Sequence, residues 1–304
     1  IGSSERVVNV IPEKNYDILE VYAVSKNTAL GQVWEKYKVP TAKKITAKEI
    51  EDAIKSIGTI RPTYFIDAEP KKTGDVLAII YSDTHIGMSP DPDGAAIHKN
   101  LLWDNKQIEE ARIALTKFAV EKDKLYDTDE IYILDIGDYM GGWNKQTERG
   151  GHALGQTMSN AEGFQMGMDF KRKLGIDIKA STGKALRTIS AINCNHAPDF
   201  DESVNKAVSV YLEAAAPQIH NHTQREYMAH YVVGNHVLII AHGKDRVYNK
   251  AGLTVNCTPK DAEFVDSYCK ANNLYSLGKR ITLIKGNDHR DVFHQTRKDF
   301  NYLS

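Results

Sequence analysis

A chain of 304 residues, 41% hydrophobic and 26% charged, allows one large domain or one domain plus a small appendage, and its composition is that of a globular protein. A net charge of −1 excludes a global basic field for nucleic acid and leaves only local patches. Apolar runs such as VLAIIY and VLIIAH are too short to cross a bilayer, so no membrane partner is expected. The three cysteines, Cys194, Cys257 and Cys269, form no CxxC pair, which fits a reducing compartment and a cytoplasmic protein. No signal-peptide pattern is visible, and an opening Ile in place of Met is what a trimmed or processed product would show.

Residues 1–73 carry no chemistry-bearing motif. Two stretches in them, TALGQVWEKYKV and ITAKEIEDAIKSIG, have helical spacing, the second with Thr46 before it and a glycine at its end. A small N-terminal helical module is therefore expected, either a helix-turn-helix reader of DNA or a packing segment. From Gly74 to the end the pattern alternates. DVLAIIYSD reads as a buried strand, NKQIEEARIALTKFAVEK as a helix and EIYILDIGD as a second strand. After the polar loop YMGGWNKQTERGGHALGQT comes a helix capped by Ser159 with Glu162 three residues on. ALRTISAINCNH is a third strand and ESVNKAVSVYLEAAA a helix. EYMAHYVVGNHVLIIAHG is a hairpin with Gly-Asn at its tip, PKDAEFVDSYCKAN a helix and RITLIKGNDH a last strand. Strands alternating with helices predict an α/β layered domain over 74–304.

The recurring event is an apolar strand that ends in metal-type ligands. The ends supply Asp83 and His85, then Asp138, then Asn195 and His196, then His242, then His289. Functional groups at neighbouring strand ends of an α/β sheet converge on one crevice. Carboxylate, imidazole and amide oxygen suit Mn²⁺, Mg²⁺, Zn²⁺ or Fe rather than a soft thiolate site. Two such ions can clamp a phosphoryl group, with Asp138 as the natural shared ligand.

This set resembles the calcineurin-like metallophosphoesterase superfamily, whose pattern is D-x-H, G-D, G-N-H, H and G-H-x-H at successive strand ends. Here the motifs stand as DTH, GD, CNH, AHG and GNDH, separated by 55 residues from Asp83 to Asp138, 57 to Asn195, 47 to His242 and 47 to His289. The loop WNKQTERGGHALGQTMSN and the HYVVGNHVLIIAHGKD hairpin look most like a branch encoded by tailed bacteriophages, often described as DNA-repair-exonuclease-like, whose place of work would be the host cytoplasm. The resemblance implies a four-layer α/β/β/α sandwich. It implies hydrolysis of a phosphoester, first a phosphodiester in nucleic acid, by a dinuclear centre and a metal-bridging hydroxide. One ion would be held by Asp83, His85, Asp138 and His289, the other by Asp138, Asn195 and His242, with Mn²⁺ the first expectation. His196 is implied as the acid that protonates the leaving oxygen.

Three departures stand out. Ala197 replaces the acid after G-N-H, Gly141 replaces a carboxylate that orients the histidine, and Asn287 replaces the first histidine of G-H-x-H. Asp199 or Asp201 is a substitute for the missing orienting group, and Asn287 and Asp288 are candidates for the metal or its surroundings. A phosphomonoesterase, or a non-enzymatic scaffold with a degenerate site, remains the alternative. In the polar loop, Trp143, Asn144, Arg149 and His152 are candidates for substrate, Trp143 by stacking on a base. His236, in GNH by spelling, belongs to a hairpin start, and His98, His220, His222 and His230 read as ordinary surface or core residues.

Overall fold

The computed structural model describes residues 18–28, 31–40, 74–89, 103–244, 253, 257–287, 289, 293–294 and 301–303. The chain divides into two compact units, Ile1–Lys44 and Ile45–Ser304. In the first unit, β1 (Ile18–Thr28) and β2 (Gly31–Pro40) form an antiparallel pair. Of the stretch TALGQVWEKYKV, expected to be a helix, the part from Gly31 on is strand β2. Leu30, Val33, Trp34 and Tyr37 do have helical spacing. The preceding stretch from Ile18 is rich in β-branched and aromatic residues, however, and its register sets Leu19 opposite Val39 and Val21 opposite Tyr37. Pairing with such a partner overrides local spacing. The helix expected over ITAKEIEDAIKSIG lies outside the described residues.

The second unit holds two sheets. β3 (Val76–Tyr81), β4 (Glu130–Asp135), β5 (Ala185–Ala191) and β6 (Ile219–Gln224) lie side by side in that order, all parallel. The crossovers are α1 (Asn105–Tyr126), α2 (Asn160–Thr182) and α3 (Pro198–Ala215). The other sheet runs β10 (Phe293–His294), β11 (Asn301–Leu303), β9 (Arg280–Lys285), β8 (His236–Ala241), β7 (Ala229–Val233), with β8, β9 and β11 parallel. Gly234, at positive φ, begins the two-residue turn between β7 and β8. Sequence reading missed β6, IHNHTQ, because a polar edge strand has no continuous apolar run.

Alternating side chains of the strands divide the core. Ile131 and Ile133 pack with Phe164, Leu174, Val204 and Leu212 under the helices. Tyr132, Leu134 and Ile189 meet Leu238, Ile240 and Ile284 of the other sheet. Val237, Ile239, Ile281 and Leu283 face away, onto Ala262 and Val265 of α4 (Pro259–Ala271). The sheets are therefore packed on each other with helices outside both, which explains strands that are apolar on both faces. The capping box read from Ser159 and Glu162 is present on α2. No helix of the described residues is long and apolar enough to cross a membrane.

Beneath the end of β4 lies a buried polar cluster. Lys171 Nζ donates to Asp135 Oδ2 at 2.6 Å, Ser190 Oγ at 2.9 Å and Asn205 Oδ1 at 2.6 Å, and sits 4.2 Å from the Tyr139 ring centre. Removing one member of such a pair strands the other charge away from water. Lys171→Met is expected to lower the unfolding free energy by ~3–5 kcal/mol, and adding Asp135→Asn to recover more than half of it. Urea denaturation of the single and double variants measures both.

Candidate metal centre

The strand ends do converge. Just past β3, Asp83 N–H donates to Gly137 O at 3.0 Å and His85 N–H to Asp138 O at 3.1 Å, which zips this loop to the one after β4. Asp138 Oδ1 accepts the main-chain N–H groups of Asn195 (3.1 Å) and His196 (2.9 Å), which fixes the loop after β5. His242, just past β8, reaches across from the second sheet: Nδ1 donates to Ile136 O at 3.0 Å, and Nε2 stands 3.0 Å from Asp138 Oδ2 and 3.1 Å from Asn195 Oδ1. His289, past β9, brings Nε2 to 3.3 Å from both His85 Nε2 and Asp83 Oδ1.

Three overlapping groups of potential ligand atoms result: Asp83, His85 and His289; Asp83, Asp138 and His242; and His85, Asp138 and His196, each with its atoms within 4.8 Å of one another. Asp138 and His242 are almost fully buried, whereas the side chain of His289 is 57% exposed and marks the open side. The donor set fits a divalent cation on two observations. Asp83 Oδ1 is buried and receives no hydrogen bond, while Oδ2 is held by Ser82 Oγ and by Asn287 N–H at 2.9 Å. The 3.3 Å between the His85 and His289 nitrogens matches ligands each ~2.1 Å from one ion at tetrahedral to octahedral angles. His242 also has the arrangement usual for ligating imidazoles, one ring nitrogen pinned to a carbonyl and the other aimed at the centre.

Backbone conformation points to the same place. Asp83, His85, Asp138, Asn287 and His289 all have positive φ, between 46° and 77°, where non-glycine residues are uncommon. Strain of this kind persists where surrounding contacts over-determine it, and it gathers at functional sites. Close packing contributes: a Cβ on Gly286 would fall 2.1 Å from Ser82 Oγ and 2.9 Å from Asp83 Oδ2.

The electrostatics are compatible with a bound cation. Burial, reinforced by the neighbouring His196, lowers His85 to about 4, so its ring is neutral at ordinary pH. Burial pushes the Asp138 carboxyl up, but His242, His196 and His85 outweigh this and hold it well below the usual carboxylate range. Burial pulls His242 down, and Asp138 more than restores it, so that its value ends above the ordinary one.

The substrate candidates are distributed differently. Trp143 is not presented for stacking: its ring is buried edge-on against Phe200, 4.8 Å between ring centres, because the loop folds back into the core under the helices. Asn144 is exposed and ties the loop to α2, its N–H donating to Asn160 Oδ1 at 3.0 Å. Arg149 is half-buried and His152 exposed; neither belongs to a ligand group. Asp288 lies outside the described residues. Of the suggested substitutes for the orienting carboxylate, Asp201 instead accepts Met140 N–H at 2.8 Å and Tyr139 N–H at 3.3 Å, and Asp199 turns its N–H to Glu148. His196 is oriented by the main chain of the altered residue itself: Nδ1 donates to Gly141 O at 2.9 Å. Gly141 has no room for a side chain, since a Cβ would stand 2.7 Å from Met88 Cβ. Sequence reasoning missed Ser82, which only its place next to Asp83 could have flagged, and Glu148, for which no sequence signal existed.

Searches of protein-family models, of curated proteins and of solved structures find no match to this chain.

Ligation requires neutral imidazole. At pH below the folded value of His242, which is raised, Mn²⁺ binding is therefore expected to release a proton from it, and above about pH 4 none from His85, whose value is lowered. Affinity should fall with decreasing pH through the folded value of His242, and His242→Ala should abolish the release; calorimetry in buffers of different ionisation enthalpy reads both. Ser82→Ala, which removes only a donor to Asp83, is expected to weaken Mn²⁺ by about 10–100-fold, and His85→Ala by more, measured by the same titration.

Proposed function

We propose that the chain is a metal-dependent phosphoester hydrolase with the metallophosphoesterase sandwich, acting first on phosphodiesters and, by the sequence resemblance, on nucleic acid. The observation that carries this reading is the sharing of Asp138 and Asp83 among the three ligand groups, which draws five strand ends from two sheets into one cleft. Asp83, His85 and His289 would hold one divalent ion and Asn195 and His242 a second, with Asp138 common to both. Ions bound there supply Lewis acidity, neutralising charge on phosphoryl oxygens and acidifying water.

The chain's own groups account for the rest. Asp83 offers a single free oxygen, because Ser82 and Asn287 occupy the other. Asn195 is steered by two contacts, its N–H on Asp138 Oδ1 and its Oδ1 on His242 Nε2. His196 has Nδ1 committed to Gly141 O, so Nε2 is the ring atom left to carry a mobile proton. That atom faces the centre, 3.9 Å from Asp138 Oδ2, with the ring 4.3 Å from that of His85. In the imidazolium form Nε2 also carries a proton, and its delivery to the leaving oxygen, which leaves the neutral Nδ1–H ring behind, is the step this geometry suits. Asn287 contributes its main-chain N–H to Asp83, a job that does not require the histidine expected at that position.

With Mn²⁺, the purified chain is expected to hydrolyse bis-p-nitrophenyl phosphate faster than p-nitrophenyl phosphate. Asp138→Asn should reduce turnover by at least ~100-fold, the scale on which loss of one electrostatic stabiliser acts. Cleavage of the monoester alone would move the reading to a phosphatase. No turnover of either by folded, metal-loaded protein would favour a binding scaffold.

A further inference from the structure

The helix that follows His196 starts without a cap of its own. α3 opens on Ala197, Pro198, and no side chain of its own caps it. Its exposed N–H groups are instead taken by Glu148, from the loop after β4: Oε2 accepts from Asp199 N at 2.7 Å and Oε1 from Phe200 N at 3.1 Å. The main chain of Glu148 also donates to His196 O at 2.7 Å. A carboxylate at a helix N-terminus is favourable both as acceptor and against the helix dipole.

The loop that carries Glu148 is an arch with its own internal bonds. Gln146 bridges Ala153, Thr147 N–H donates to His152 O at 2.9 Å, and Leu154 N–H donates to Lys145 O at 2.8 Å. One foot holds the segment after His85: Met88 bridges Gln156, Ser89 N–H donates to Gly155 O at 2.7 Å and Thr157 N–H to Gly87 O at 3.0 Å. The root of the arch is Gly141, whose carbonyl holds the His196 ring. The arch thus grips His196 twice, the ring at its root and the main chain at its tip.

We propose that Glu148 is the positioning residue for His196: by capping α3 across the loop, in the place of the acid absent at Ala197, it fixes the His196 ring in one tautomer and one direction. That the ring so fixed is a proton donor rests on the hydrolase reading above; that Glu148 fixes it does not. Because a carbonyl only accepts, the bond to Gly141 O demands a proton on Nδ1. Histidine side-chain ¹⁵N spectra of the full, metal-free chain at about pH 8, where free imidazole is neutral, test the positioning directly. The His196 signal, identified by its loss in His196→Ala, is expected to report a single Nδ1–H tautomer in the native chain and an averaged one in Glu148→Ala. Glu148→Gln, which keeps one oxygen acceptor, should lie between and carries the test if the alanine variant fails to fold. An unchanged tautomer in both variants would overturn the proposal.

A kinetic arm separates positioning from general loosening. Glu148→Ala should lower kcat on a dinucleoside monophosphate, whose alkoxide leaving group needs a proton, by about tenfold or more. It should change kcat on bis-p-nitrophenyl phosphate, whose phenolate leaves unaided, by less than about threefold. Equal loss on both esters would overturn the proposal. A native chain that hydrolyses neither ester would overturn the hydrolase reading instead, and the spectra would still decide the role of Glu148.

Discussion

The centre depends on one buried carboxylate. Asp138 has its two oxygens in different service: Oδ1 collects the main-chain N–H groups of Asn195 and His196, while Oδ2 faces the imidazoles of His242 and His196. The first oxygen joins the loops after β4 and β5, and the second joins the first sheet to the second. A carboxylate so far from water persists as an anion only with this compensation. Of the imidazoles that stabilise the anion, His242 is one a cation would recruit. Assembly of the loops and preparation for a metal are therefore one electrostatic event, and Asp138 cannot be neutralised without loosening both.

What lies beneath the centre keeps that arrangement in place. The turn after β4 has little freedom: Asp135 takes Gly137 N–H on one oxygen and Lys171 on the other, and Asp201 of α3 takes the N–H groups of Tyr139 and Met140. Burial and the nearby Asp135 push the Asp201 carboxyl well above its ordinary value, while the charge of Lys171 is matched by Asp135. Networks of buried polar groups are costly when incomplete, and when complete they hold a loop to one geometry. That over-determination is what sustains positive φ at Asp83, His85 and Asp138 together.

Much of this was legible in the sequence because it is written in residues whose type and position both matter. An apolar strand followed within a few residues by Asp or His is a pattern that burial alone does not produce, and Asp83, His85, Asp138, Asn195, His196, His242 and His289 were found on it. His236 opens β8, at the other end of the strand from His242. Less could be read where the main chain does the work. The carbonyls of Ile136 and Gly141 orient two histidines, and a carbonyl has no letter of its own. Trp143 was taken for a base-stacking surface because it stands in a polar loop; only the fold shows that the loop returns its ring to Phe200. The strand β2 was hidden for a related reason, its spacing being helical and its partner lying in another stretch of chain.

The three departures from the resembling pattern look different once the contacts are known. Gly141 lacks the carboxylate that would orient His196, yet its carbonyl reaches Nδ1 at 2.9 Å, and Met88 leaves no space for anything larger. Ala197 puts no acid at the start of α3, yet Glu148 delivers a carboxylate from the loop to the N–H groups of Asp199 and Phe200. Asn287 lacks an imidazole, yet its N–H is what leaves Asp83 with one oxygen free for a cation. At Gly141 and Ala197 an acceptor is still supplied, by the main chain in one case and by another loop in the other, whereas at Asn287 the imidazole is lost and a main-chain contact stands. A site losing its chemistry would show orphaned partners at these points. Among the described residues of the cleft, the buried atoms without a hydrogen bond are Asp83 Oδ1, which a cation would complete, and His85 Nδ1, the ring atom turned away from His289.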